Sequence, residues 1–140
     1  MSSCYLDASA LVKLATAEPE TQALRDHLAG YLVRITSRLA TVEVARALLR
    51  RGRESAALAD DVAIAFEGLA MVELSDSVAA EAGLRGPATL RSLDAIHLAS
   101  ALSLGDEVAM LITYDRRLAD AARAAGLEVV APAETVSGYQ

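Results

Sequence analysis

The chain has 140 residues, a formal net charge of −6, and 54% apolar against 23% charged residues. That length suits one domain with a full hydrophobic core, and that balance excludes a disordered chain. The acidic charge argues against a nucleic-acid binder that works through a broad basic surface, and no apolar run approaches the ~20 residues a spanning helix needs.

Ser3 to Leu6 is a short apolar run ending at Asp7 and reads as a first strand. Ala8 to Ala17 reads as a helix, and Pro19 suits the first turn of another from about Glu20 to Leu28, stopped by Gly30. Tyr31 to Thr36 is strand-like. Ser37 can cap a helix from about Arg38 to Arg51, closed by Gly52. A helix from about Glu54 to Leu69, a strand from Ala70 to Leu74 and a helix capped by Ser75 or Asp76 follow. Gly83, Gly86 and Pro87 break the pattern before a strong helix, Ser92 to Leu104. Val108 to Thr113 is a strand, Arg116 to Ala125 a helix, and Glu128 to Ala131 a last strand closed by Pro132 ahead of a polar tail. This succession predicts a single α/β domain over 1–140, a sandwich on a mostly parallel sheet. Aromatic residues make up only 4% and Trp is absent, so Ala, Leu, Val and Ile must build the core.

The single cysteine, Cys4, has no intramolecular disulfide partner and lies in an apolar strand, far in sequence from His27 and His97. It reads as a small core residue in a reduced setting. With no secretory pattern at the N-terminus, the expected location is the cytoplasm. Lys13 is the only lysine. Arg46, Arg50, Arg51 and Arg53 crowd one stretch and Arg116 and Arg117 another, either as solvated helix faces or as a phosphate-binding rim, a role that suits the guanidinium fork.

Four acidic residues stand in short signatures: Asp7 in YLDASALVKL, Glu43 in ATVEVARAL, Asp94 in SLDAIHLASAL and Asp115 in LITYDRRLADAARAAGL. Asp7 and Asp115 fall between a strand and a helix, where an N-cap alone would explain them. Ser9 can orient a water or cap the same helix, and Thr113 can support the site through its hydroxyl. Glu43 lies on an apolar helix face with Leu39, Ala40 and Ala47 as neighbours, so its charge needs a partner: Arg46 at i+3 or a metal ion. Asp94 is near the start of a very apolar helix, where negative charge is favourable in any case. His97, one turn later, reads as a hydrogen-bonded core residue or as a ligand or base, and Asp120 as solvent-facing. A parallel sheet opens all its strand C-termini on one edge, so these acids can meet there. A carboxylate cluster without matching Lys or His suits a hard divalent cation.

Together these four motifs, in this order and at this length, resemble the PIN-domain ribonucleases, specifically the VapC toxins of bacterial toxin–antitoxin pairs. The resemblance spans the whole chain. It implies a three-layer α/β/α sandwich with a central five-stranded sheet. It implies Mg²⁺, with Mn²⁺ as substitute, held by Asp7, Asp94 and Asp115, with Glu43 as ligand or supporting residue. It implies hydrolysis of RNA phosphodiester bonds by an activated water, and homodimers bound by a VapB-type antitoxin. The alternative is a PIN-like module that binds RNA or a partner without cutting. A haloacid-dehalogenase-like phosphatase is disfavoured, because that chemistry wants a second acid where Ser9 stands and a suitably placed lysine.

Overall fold

The computed structural model describes residues 2–134; the polar tail expected after Pro132 lies outside them from position 135 on. Within these residues the strands are β1 (Ser3–Leu6), β2 (Val33–Ser37), β3 (Ala70–Val72), β4 (Val108–Ile112) and β5 (Val129–Val130). The helices are α1 (Ala8–Ala15), α2 (Thr21–Leu28), α3 (Ala40–Arg50), α4 (Ser55–Phe66), α5 (Asp76–Ala82), α6 (Ser92–Ser103) and α7 (Arg116–Ala124).

The five strands form one sheet in the order β3-β2-β1-β4-β5, and every pairing is parallel. Each step to the next strand in sequence passes through at least one helix, which is what parallel pairing requires. β1 lies in the middle and is buried on both faces. Its side chains alternate: Cys4 and Leu6 join one core with Leu11, Leu24, Val44 and Leu48 of α1, α2 and α3. Tyr5 joins the other with Ile35, Leu111, Leu98 and Leu118. The period of two thus divides the core into two layers, one under α1–α4 and one under α6 and α7, giving the α/β/α sandwich. Cys4 is fully buried and burial pushes its thiol up to about 11, so it serves as packing and not as a nucleophile.

Several element ends fall one or two residues from the sequence reading, and two of the differences have a clear local cause. Ser37 is not a helix cap but the last residue of β2, and its Oγ accepts the Leu39 N–H at 3.2 Å while α3 starts at Ala40. The helix expected to reach Leu69 ends at Phe66, because Gly68 takes φ +74° and turns the chain into β3. Among the described residues no helix is long and apolar enough to cross a membrane.

Beyond the last β1–β2 backbone pair, Thr36 Oγ1 donates to the Leu6 carbonyl at 2.7 Å, and Thr36 is fully buried. This bond secures the strand end from which Asp7 emerges. Thr36→Val keeps the shape and strands the buried carbonyl, so it should lower stability by about 1–3 kcal/mol. Urea denaturation checks this; an unchanged midpoint would show that the Leu6 carbonyl does not need the hydroxyl.

Candidate active site

Because all strands run the same way, β1, β2 and β4 end on one edge, and the helices that follow them start there. Asp7 leaves β1 and caps α1, its Oδ1 accepting the Ala10 N–H at 3.1 Å. Asp115 follows β4 and caps α7, its Oδ1 accepting the Arg117 and Leu118 N–H groups at 2.9 and 3.0 Å. Glu43 is in the first turn of α3 and Asp94 in the first turn of α6. All four line one cleft of about 620 Å³, with Ser9, Lys13, Arg46, Arg50 and Arg91 around it. The capping geometry expected for Asp7 and Asp115 and their place in a shared cleft therefore hold together, because a strand end is also a helix start.

Asp7 is the buried centre, only 3% exposed. Ser9 Oγ donates to its Oδ1 at 2.7 Å and Thr113 Oγ1 to its Oδ2 at 2.6 Å. Each hydroxyl also accepts a backbone N–H from the β4–α7 turn: Ser9 from Tyr114 at 2.9 Å, Thr113 from Asp115 at 3.0 Å. The hydroxyls thus transmit the position of the turn to the carboxylate. Burial raises the Asp7 pKa above the ordinary carboxylate value, and the charge of His97 and the donors from Thr113, Ser9 and Ala10 offset this only in part. These donors leave one lone-pair position on Oδ2 open, out of about four on a carboxylate.

Glu43 does not pair with Arg46. Its partner is His97, whose Nε2–H donates to Oε1 at 2.7 Å. His97 is 1% exposed, and the Tyr5 hydroxyl lies 2.8 Å from its Nδ1. Burial drives the Tyr5 hydroxyl pKa far upward, so it stays protonated beside the ring. Burial alone would depress the His97 pKa, but the hydrogen bond and charge of Glu43, with Asp7 and Asp94, raise it above its usual value. The core-residue reading of His97 was right about its burial; its link to Glu43 joins residues 54 positions apart and has no local signal.

Asp94 and Asp115 are joined by a residue that the sequence reading passed over. Arg91 Nε donates to Asp94 Oδ2 at 3.3 Å and Arg91 Nη2 to Asp115 Oδ2 at 3.1 Å. Its spacing of three from Asp94 on a helix was the available clue. The Asp94 pKa is raised by burial and by the charge of Asp115, against the opposing effect of Arg91. At the cleft mouth Lys13 reaches Glu18 and Glu20, each at 3.0 Å, and Arg51 also pairs with Glu18. Asp120 is solvent-facing, as expected. Among the described residues no three Asp, Glu, His or Cys side chains converge closely enough to enclose a metal ion as they stand. The donor chemistry is nonetheless all carboxylate oxygen, matched to a hard cation, and a guanidinium already satisfies part of the demand for positive charge.

A PIN domain family profile matches residues 4–124. The chain is 48% identical over 132 residues to Ribonuclease VapC46 of Mycobacterium tuberculosis, an alignment covering 94% of this chain and 99% of the relative. Among solved structures it is similar to VapC20 of Mycobacterium tuberculosis, a sarcin–ricin-loop-cleaving toxin, with TM-score 0.72, 19% identity and coverage of 94% and 100% of the two chains. A toxin–antitoxin complex from Klebsiella pneumoniae matches with TM-score 0.67 and 21% identity over 94% and 99%.

The raised Asp7 pKa has a stability consequence. A carboxyl whose folded-state value lies above 3.8 contributes fully below that pH, and the contribution is lost as pH rises through the folded-state value. Asp7→Asn removes this dependence. In chelator, the stability of Asp7→Asn relative to wild type should therefore increase between pH 4 and pH 7, read from urea midpoints. A difference that stays flat or falls with pH would refute a charged, desolvated Asp7.

Proposed function

Because this chain belongs to the PIN-domain family, and within it to the VapC ribonucleases, we propose that it is the toxin of a VapBC-type pair that hydrolyses RNA at the cleft of Asp7, Glu43, Asp94 and Asp115. Ribonucleases of this family generally depend on a divalent metal ion; we assign Mg²⁺, with Mn²⁺ as substitute. The observation that carries the reading is the convergence of four carboxylates from four helix starts in one cleft.

Asp7, Asp94 and Asp115 would hold the ion, Asp7 through the lone pair left on Oδ2. A bound divalent cation supplies charge neutralisation at the phosphodiester and lowers the pKa of water. The protein then has to position. Ser9 and Thr113 fix the Asp7 carboxylate, and through Tyr114 and Asp115 they tie it to the α7 start. His97 and Tyr5 fix Glu43 by one oxygen, and its other oxygen, with no hydrogen-bond partner among the described residues, accepts the proton from the attacking water. Arg46 and Arg50 are one helical turn apart on α3, line the same cleft and have no ion-pair partner among the described residues. They suit the flanking phosphates of an RNA strand, giving an acidic protein a local basic rim.

The Klebsiella relative is a complex with an antitoxin, and we infer a VapB-type antitoxin here as well. Val42 and Leu93 are exposed apolar residues on the cleft rim beside the acids, a surface suited to a partner segment that combines apolar and basic side chains. We also propose a homodimer as the toxin's own assembly and the cytoplasm as its place of action, where its RNA is found and Cys4 stays reduced.

Cleavage of total RNA by antitoxin-free protein tests the function. Wild type should cut with Mg²⁺ or Mn²⁺ and stop with chelator. Asp94→Asn should lose more than the ~10–100-fold that removal of a merely supporting hydrogen bond costs, while Ser9→Ala should fall within that range. Metal-independent RNA binding without cleavage by wild type would favour the non-cutting module instead. A separate expectation concerns the antitoxin: its association rate should fall with salt, since opposite charges steer the encounter. A salt-independent rate, measured by stopped flow, would dissociate the −6 charge from partner capture.

A further inference from the structure

Arg91 stands where a cation is wanted. It is the N-cap residue of α6, and the turn before it is fixed: the Leu90 N–H donates to the Pro87 carbonyl at 2.9 Å, and Gly86 adopts φ +76° with the Leu90 side chain so close that a Cβ there would sit 2.8 Å from it. From this anchored start the guanidinium spans two carboxylates, one on its own helix and one on α7. The arginine side chain is 68% exposed, and the carboxylates are 11% and 22% exposed.

The oxygen it takes on Asp115 decides the matter. Asp115 Oδ1 accepts two backbone N–H groups at the α7 start, which uses both of its lone pairs. Oδ2 is the oxygen left to face a cation, and Arg91 Nη2 is on it at 3.1 Å. On Asp94 the same guanidinium takes Oδ2 as well. A divalent ion at these oxygens would meet the guanidinium a few ångströms away, and the two positive charges repel in a partly desolvated cleft.

We propose that Arg91 is a resident counter-cation that competes with the metal ion for Asp94 and Asp115, and that metal binding displaces it toward the open cleft. This rests on the reading of Asp94 and Asp115 as metal-holding residues and adds to it a positioning residue, Arg91. In the metal-free protein the guanidinium keeps two carboxylates from repelling one another. Once displaced, it is an exposed, permanently charged fork beside the reacting phosphate position, able to take an RNA phosphate bidentately.

The test is calorimetric titration of Mn²⁺ into metal-free full-length wild type, Arg91→Gln, Arg91→Lys and, as a control for general field effects, Arg46→Gln. Because ion pairs of an exposed arginine are individually weak, Arg91→Gln should bind Mn²⁺ about three- to ten-fold more tightly than wild type. Arg91→Lys should fall between them, since one ammonium cannot span both carboxylates. Arg46→Gln should move affinity by less than Arg91→Gln. In parallel, the Arg91 Nε–H resonance of wild type should move to a free-guanidinium position as Mg²⁺ is added. Unchanged or weaker Mn²⁺ binding by Arg91→Gln, an equal shift in Arg46→Gln, or an Arg91 resonance indifferent to Mg²⁺ would each overturn the competition while leaving the metal site in place. No Mn²⁺ binding by wild type or any variant would overturn the metal reading itself, and the competition with it.

Discussion

The rest of the site depends on the burial of one negative charge at the C-terminal edge of the central strand. Asp7 follows β1, which is flanked on both sides by other strands and covered on both faces, so its carboxylate cannot reach bulk water. A bare carboxylate there would cost several kcal/mol, and the structure meets that cost with donors drawn from two elements. Ser9 comes from the helix Asp7 caps, Thr113 directly follows the neighbouring strand β4, and the backbone N–H groups those hydroxyls accept come from the turn that carries Asp115. Stabilising Asp7 and positioning Asp115 are the same set of bonds. A parallel sheet makes this possible, because neighbouring strands deliver their following turns to the same edge.

The hydroxyls only partly compensate, as the upward displacement of the Asp7 pKa shows. The unmet demand is for positive charge, and the surroundings supply it in graded steps. His97 faces Glu43 from beneath, Arg91 spans Asp94 and Asp115 from the mouth, and Arg46 and Arg50 wait farther out on α3. An acidic protein can thereby present a basic approach to an anionic polymer while keeping an acidic floor. Among the described residues the carboxylates do not already enclose an ion, and Arg91 spans two of them, Asp94 and Asp115.

Much of the fold was legible because the signals were local. Apolar runs of strand length ending at Asp7 and Thr113, glycines closing helices and the capping chemistry of Asp7, Ser75 and Asp115 all act within a few residues. Where local chemistry was ambiguous the reading slipped: Ser37 looks like a cap by composition, yet its backbone pairs with β3 and its hydroxyl serves a turn instead. The candidate acids were legible as positions, because strand ends and helix starts can be counted. Their partners were not. Glu43 invited a pairing with Arg46 on its own helix, and tertiary packing gave it His97 from the opposite layer. Arg91 escaped notice because its meaning depends on Asp115, 24 residues away. Spacing along one helix is visible in a sequence; a contact between helices on a shared sheet edge is visible only once the sheet is assembled.

The measurement that tests the central claim most directly is anomalous X-ray scattering from crystals of the protein soaked in Mn²⁺. The expected result is a strong peak in the cleft within coordination distance, about 2.0–2.2 Å, of Asp7 Oδ2 and in contact with Asp94 or Asp115, with the Arg91 guanidinium withdrawn from their Oδ2 atoms. A cleft with no peak at saturating Mn²⁺, or a peak that makes no contact with Asp7, would contradict it.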